Sequence, residues 1–244
     1  MSFQVVLKNF TTMVSDADIK RYLSALQIQA TRDFAPLYGP NMSLRFAAKS
    51  EVLHEKAWLL GIYDTADQAN ALGYHDLTSD GTPLGKVFAL TTYKDGGLLS
   101  VVISHELLEM GADPWINMTA IDPVTNRLYA YEVCDAVEAD DLGYDINNVR
   151  VSDFVKPHFF TRNRKPSNGE LYSFNGKLTK PFSLDPGGYL SYIDLNHAGQ
   201  GWQQITAAHA QNPFVALRSH SGTSRGARRR ALHGGQGVTL STAP

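Results

Sequence analysis

The run LLSVVISHELLEMGADP, Leu98–Pro114, sets three acids and one histidine in a stretch that is otherwise almost wholly apolar. At about 100° per residue on a helix, Glu109 falls at about 40° from His105, Glu106 at about 100°, and Asp113 at about 80° if the helix continues that far. One imidazole and three carboxylates therefore crowd a single arc. The rest of the circumference carries Val101, Val102, Ile103, Leu107, Leu108 and Met110, so the helix must be largely enclosed. Like charges turned into a protein interior are costly unless a bound cation, protonation or a basic partner neutralises them. Any fold of this chain must wrap this helix and resolve that charge.

The chain has the material for such an enclosure: 244 residues, 43% of them hydrophobic and 19% charged. That suits one large domain, or one domain plus an elaboration. The formal net charge of -2 provides no global basic field for nucleic acid or membrane. The single cysteine, Cys134, excludes an internal disulfide framework. MSFQVVLKNFTTMVSD lacks the basic and apolar regions of a signal peptide, and no apolar run approaches the ~18 residues of a membrane span.

Along the chain, FQVVLKNF (Phe3–Phe10) reads as a strand, and Ser15 or Asp16 caps a helix running to Gly39, with Ile19, Tyr22, Leu23, Leu26 and Ala30 at helical spacing. MSLRFAA, Lys56–Asp64 and Val87–Tyr93 read as three further strands, and TADQANALGYHD as a polar connection. Asp95-Gly96-Gly97 breaks the chain before the acidic helix, expected from about Leu98 to Met110. A turn at Asp122-Pro123 and Thr125-Asn126 feeds a strand over Leu128–Val133. The texture changes at Val149. The expected division is a metal-binding core over 1–148, an irregular β-rich extension over 149–218 packed on it, and a flexible Gly/Ser/Arg-rich tail over 219–244.

His105 and Glu109 lie one helical turn apart, the spacing at which two side chains converge on one metal ion. Glu106 stands beside them as a base toward a metal-bound water. Metal sites often add a distant ligand to a helical pair, and YEVCDAVEADD supplies candidates in Glu132 and Asp135. Glu138, Asp140 and Asp141 read as a solvated loop, and Cys134 as core.

SHELLEMGADP resembles the H-E-x-x-H signature of zincin-like metallopeptidases, with Glu109 at the position of the second histidine. The chain is more closely similar to an uncharacterised zincin-like family of bacteria and their phages with an H-E-x-x-E motif. IQATRDFAPLYG, LGYHDLTSDGTPLGKVF, SHELLEMGADP, YEVCD, VSDFVKPHFF and DPGGYLSY carry that similarity, which spans roughly Phe3 to Trp202. The resemblance implies an α+β fold: a mixed, mostly parallel sheet with a backing helix and an active-site helix, followed by an irregular β-rich part. It makes His105 the first metal ligand, Glu106 the general base and Glu109 the second ligand. The third is left among Asp113, Glu132 and Asp135. Asp113 caps the helix, orients His105 or ligates directly. A carboxylate in place of an imidazole adds negative charge around the metal, weakens it as a Lewis acid and shifts preference toward hard cations. Zinc comes first, with calcium or manganese as alternatives.

His75, on the loop before the fourth strand, is a candidate for substrate binding. Tyr189 and Tyr192 read as packing. No G-x-S-x-G elbow, phosphate-cradling glycine loop or EF-hand spacing is present. The expected function is a metal-dependent hydrolase, a peptidase acting on a peptide or protein. The alternative is a catalytically inactive structural or binding module, for example a phage virion component whose partners are other protein subunits. The setting is cytoplasmic or a phage particle, with no membrane partner. Nucleic acid enters only through the basic knot Arg225 and Arg228–Arg230.

Overall fold

A five-stranded sheet in the order β2-β1-β3-β5-β4 forms the platform of the molecule in a computed structural model, which describes residues 2–53, 57–68, 71–162 and 169–207. Strand β1 (Ser2–Asn9) is flanked by β2 (Asn41–Ala47) and β3 (Trp58–Tyr63), both parallel to it, with Val5 opposite Leu44 on one side and Trp58 on the other. Val5 to Asn9 are all buried, as expected of a central parallel strand covered on both faces. Strand β5 (Pro83–Phe88) continues the parallel set beside β3, and β4 (Gly73–Leu77) closes the edge antiparallel to β5.

Helix α1 (Asp16–Ile28) makes the crossover from β1 to β2. Its start is a reciprocal cap: the Ser15 hydroxyl accepts the Asp18 N–H, and the Asp18 carboxylate accepts the Ser15 N–H, each at 3.2 Å. The helix does not end where its α-helical geometry ends. It runs on through a π-helical segment, Gln29–Phe34, into the short α2 (Ala35–Tyr38), and stops at Gly39, whose φ of 93° few other residues would tolerate.

Two expected elements differ. Val87–Tyr93 is not a strand: β5 ends at Phe88, and Ala89–Lys94 forms helix α3. The β-branched Thr91 and Thr92 favour a strand in isolation, but the Thr92 hydroxyl donates to the Phe88 carbonyl one turn back at 2.8 Å, and the Thr92 carbonyl accepts the Gly97 N–H. The polar connection before it contains a strand, β4, paired in register with β5 from Gly73 opposite Val87 to Leu77 opposite Pro83.

Helix α4 (Leu99–Ala112) follows and is buried at every residue from Leu99 to Gly111. It packs across β5 and β4 and against β9. Strands β6 (Thr119–Asp122) and β7 (Arg127–Ala130) form a hairpin, and β8 (Tyr144–Ile146) and β9 (Val149–Val151) a second, turning at Asn147 and Asn148, both at positive φ. The change of texture at Val149 thus falls inside a hairpin. Strands β10 (Tyr189–Asp194) and β11 (Gln203–Thr206) then extend β6–β7 into a four-stranded antiparallel sheet, β11-β10-β7-β6. One hydrophobic cluster joins Leu7, Leu60 and Val87 of the large sheet, Leu26 and Phe34, Ile103 and Leu107 of α4, and Phe154 and Phe159 of the later segment. The fold is α+β with a mixed, mostly parallel sheet. Among the described residues no helix is long and apolar enough to cross a membrane. Lys56, the tail 219–244 and its arginine knot lie outside the described residues.

Asp153 gives this later segment a pH signature. Burial pushes its carboxyl up to about 6, against the N–H groups of Asn175 and Phe154 and the Ser173 hydroxyl that pull it down, while the Asp185 charge adds to the rise. The folded protein therefore holds a proton there more tightly than the unfolded chain. That stability is complete below the ordinary carboxyl value of 3.8 and is lost as pH rises through about 6. Asn at this position keeps an acceptor for the Phe154 and Asn175 N–H groups, both at 2.8 Å, without the charge. Asp153→Asn is expected to stabilise the protein at pH 8 by about 1–3 kcal/mol. The gain should shrink below pH ~6 and vanish near pH ~4, as read by urea denaturation across that range.

Candidate metal centre

Helix α4 is held in one register along its whole length. At its start, the Leu98 N–H donates to Asp140 Oδ2 at 2.8 Å, so this acid of the expected solvated loop fixes the helix entrance. In the middle, Ser104 Oγ donates to Gln29 Oε1 at 2.6 Å and accepts the Ser152 N–H at 3.0 Å, and Gln29 Nε2 donates to the Ser152 carbonyl at 2.9 Å. Gln29 stands at the end of α1, where its backbone N–H still bonds back to the Ala25 carbonyl. At its end, a Cβ on Gly111 would stand 2.8 Å from Met42 Cε and 3.0 Å from Phe34 Cε1, so glycine there lets these two side chains pack closely on the helix. Beyond it the Asp113 carboxylate accepts the N–H groups of Asn117 and Met118, both at 3.0 Å. His105 and Glu109 have little freedom to rotate away.

Strand β4 supplies the next group. His75 stands on this strand, not on a loop, and its side chain is 0% exposed. Its Nδ1 lies 3.7 Å from Glu109 Oε2 and 3.9 Å from Glu106 Oε2. Two positions back, Gly73 leaves space for Glu106: a Cβ there would come within 2.9 Å of both Cγ and Oε1 of that side chain.

The segment after β7 supplies the last two. The chain leaves the sheet at Ala130 and enters a 3-10 turn at Asp135–Val137, so Glu132 and Asp135 are on irregular backbone rather than on a strand. The Val155 N–H donates to the Val133 carbonyl at 2.7 Å, and the Cys134 N–H to Glu109 Oε1 at 3.2 Å. Gly188 of the later segment packs so closely that a Cβ would be 2.4 Å from the Ala136 carbonyl oxygen. The loop is thereby clamped between α4 and the second sheet. Glu132 Oε2 then reaches to 3.9 Å from His75 Nε2, and Asp135 Oδ1 to 3.2 Å from His105 Nε2.

Two groups of donors result, His75–Glu109–Glu132 and His105–Glu109–Asp135, each with its ligand atoms within 4.8 Å of one another. His105 Nε2 and Glu109 Oε2 are 3.3 Å apart. Donors of one tetrahedral ion with bonds of about 2.0–2.2 Å stand about 3.3–3.6 Å from each other, so the His105 Nε2 spacings to Glu109 and Asp135 need little adjustment, whereas Glu109 and Glu132 face different nitrogens of the His75 ring and that triad must close up around one of them. The charge points the same way. His75, His105, Glu106, Glu109, Glu132 and Asp135 are all buried. These six side chains sum to minus two with both imidazoles protonated and minus four with both neutral. Burial on its own would lower the His105 pKa, but the Glu109 charge, hydrogen bonds with Asp135 and Glu109, and the Glu106 charge raise it well above the usual value. Neutral imidazole nitrogens and carboxylates in this spacing suit a divalent cation, and the cluster can hold one.

Of the residues singled out in the sequence, the structure brings together His105, Glu106, Glu109, Glu132, Asp135 and His75. Asp113 is in neither triad and fixes the turn after α4. Cys134 is buried and contributes its backbone N–H. Tyr192 donates from its hydroxyl to Gln203 Oε1 at 2.9 Å and packs on Tyr129, in the second sheet. His75 as a donor partner of Glu109 was not foreseen. A signal for its strand does exist: Asp80-Gly81 is a hairpin turn between GYHDL and PLGKVF, and Gly81 adopts a φ of 81°. A comparison with known protein families, curated proteins and solved structures finds no match to this chain.

Proposed function

We propose that the chain is a zincin-like, divalent-metal-dependent hydrolase whose substrates are peptides or proteins, with zinc as the first candidate metal and manganese or calcium as alternatives. The observation that carries this reading is the convergence of a helical His–Glu pair with a distant acid, while Glu106 stands in the same buried cluster outside both triads. His105, Glu109 and Asp135 would hold the cation, and His75 and Glu132 face Glu109 from the other side. A cation there would supply Lewis acidity toward a substrate carbonyl and a water.

The chain's own residues do the rest. Glu106, kept in place over Gly73, takes a proton from the attacking water on a carboxylate oxygen. It then delivers that proton to the amine as the C–N bond breaks, so the carboxylate is regenerated. Glu106→Gln has nearly the same shape without the basic oxygen. It is expected to lower hydrolysis of a generic peptide substrate by about 100- to 10,000-fold while metal content and melting temperature stay unchanged.

One observation favours a second reading. All six cluster side chains are less than a tenth exposed, which suits a metal that only braces a structural or binding module, such as a particle component. In that case Glu106→Gln would change nothing that peptide cleavage, metal content or melting can detect.

A further inference from the structure

We infer that the cluster is a two-metal centre in which Glu109 is the bridging ligand, with His75 and Glu132 completing one ion's protein ligands and His105 and Asp135 the other's. The inference rests on reading the cluster as a divalent-metal centre and does not depend on hydrolysis.

The two triads share Glu109 and nothing else. Each otherwise has its own imidazole and its own carboxylate, and these come from different parts of the fold. His75 is on the edge strand β4 and His105 on α4, while Glu132 and Asp135 are three residues apart on the clamped loop and point to different histidines. A single site would need only one such set. The Glu109 carboxylate is placed to serve both. Oε1 accepts the Cys134 N–H at 3.2 Å, and that bond sets the plane of the group. Oε2 is then turned toward both histidines, 3.7 Å from His75 Nδ1 and 3.3 Å from His105 Nε2.

Charge supports two ions over one. Coordination requires neutral imidazoles. With neutral imidazoles, one dication would leave the four buried carboxylates of the cluster at a net minus two, and two dications bring the group to zero. Each triad supplies three protein donors and leaves further positions for small oxygen ligands, the composition of an open rather than a closed site. Mixed imidazole and carboxylate donors suit Zn²⁺ and Mn²⁺.

The test uses the full chain, freed of metal by chelation and titrated with Mn²⁺ alone. Bound metal is counted per chain after gel filtration, and electron paramagnetic resonance is recorded on the loaded protein. The expected result is two Mn²⁺ per chain with an exchange-coupled spectrum. His75→Ala and His105→Ala should each bind one Mn²⁺ and give the hyperfine pattern of an isolated ion. One Mn²⁺ per wild-type chain, abolished by either substitution, would overturn the inference and leave a mononuclear metal centre standing. Two uncoupled ions would overturn the Glu109 bridge. No bound metal would remove both this inference and the metal-centre reading. The wild-type stoichiometry and spectrum decide the matter even if a histidine variant fails to fold.

Discussion

Glu109→Gln is expected to lose its bound metal, with affinity for Zn²⁺ or Mn²⁺ at least about 100-fold weaker, equivalent to about 3 kcal/mol or more. Glu109 is the member common to both triads and is wholly buried, so no other residue in the cluster has as much to lose. Gln preserves the volume, and its amide oxygen can still accept the Cys134 N–H that now binds Oε1. The substitution therefore removes a charge and a ligand without opening a cavity. Its amide nitrogen would also face two imidazoles where a carboxylate oxygen stood. Asp113→Asn is the natural contrast. That acid serves the Asn117 and Met118 N–H groups, so its loss should weaken the turn by about 1 kcal/mol and leave metal content unchanged. Metal analysis of both purified variants by mass spectrometry separates the two roles. Full metal in Glu109→Gln would mean that this residue is not a ligand.

The second large effect is the response to chelation. A ligand that binds only the folded state at a free concentration of about 1,000 times its Kd stabilises by about 4 kcal/mol. For a chain of this size that corresponds to a fall of about 8–16 °C in Tm on removing the metal, at about 2–4 °C per kcal/mol. Dialysis against a chelator, followed by scanning calorimetry and then by return of Zn²⁺ or Mn²⁺, should show the fall and its reversal. The physical reason is the buried negative charge. Without the cation, the carboxylates of Glu106, Glu109, Glu132 and Asp135 crowd one another in a closed cluster whose only basic groups are two imidazoles. An unchanged Tm would show that the cluster resolves its charge without a cation.

Much of the scaffold was legible because its signals are local. The apolar run with Gly96 and Gly97 before it located α4, expected from Leu98 to Met110 and found from Leu99 to Ala112. The β-branched and aromatic run at the start located β1, and helical spacing from Ile19 to Ala30 located α1. What misled was competition between local preference and long-range pairing. Thr91 and Thr92 read as strand, yet the hydroxyl of Thr92 closes a helical turn on Phe88. Strand β4 read as a polar connection because its partners lie across a hairpin, and only pairing with β5 gives its residues a face.

The site divided in the same way. The His105–Glu109 pair follows from helical geometry alone. The destinations of Glu132 and Asp135 do not, because the strand before them ends at Ala130 and the loop that carries them is shaped by Val155 and Gly188, remote in sequence. His75 was the hardest to place. Nothing within β4 says that an edge strand will lie against α4 at the level of Glu109 rather than a turn away.

The central claim is that these buried acids exist to hold metal. Its most direct measurement is the metal content of the full-length protein, purified without chelator, with elemental analysis set against protein concentration. At least one divalent transition-metal ion per chain, retained through gel filtration and absent from Glu109→Gln, is the predicted result. Protein that carries no stoichiometric metal as purified, and takes up none from Zn²⁺, Mn²⁺ or Ca²⁺ solutions, would contradict the account.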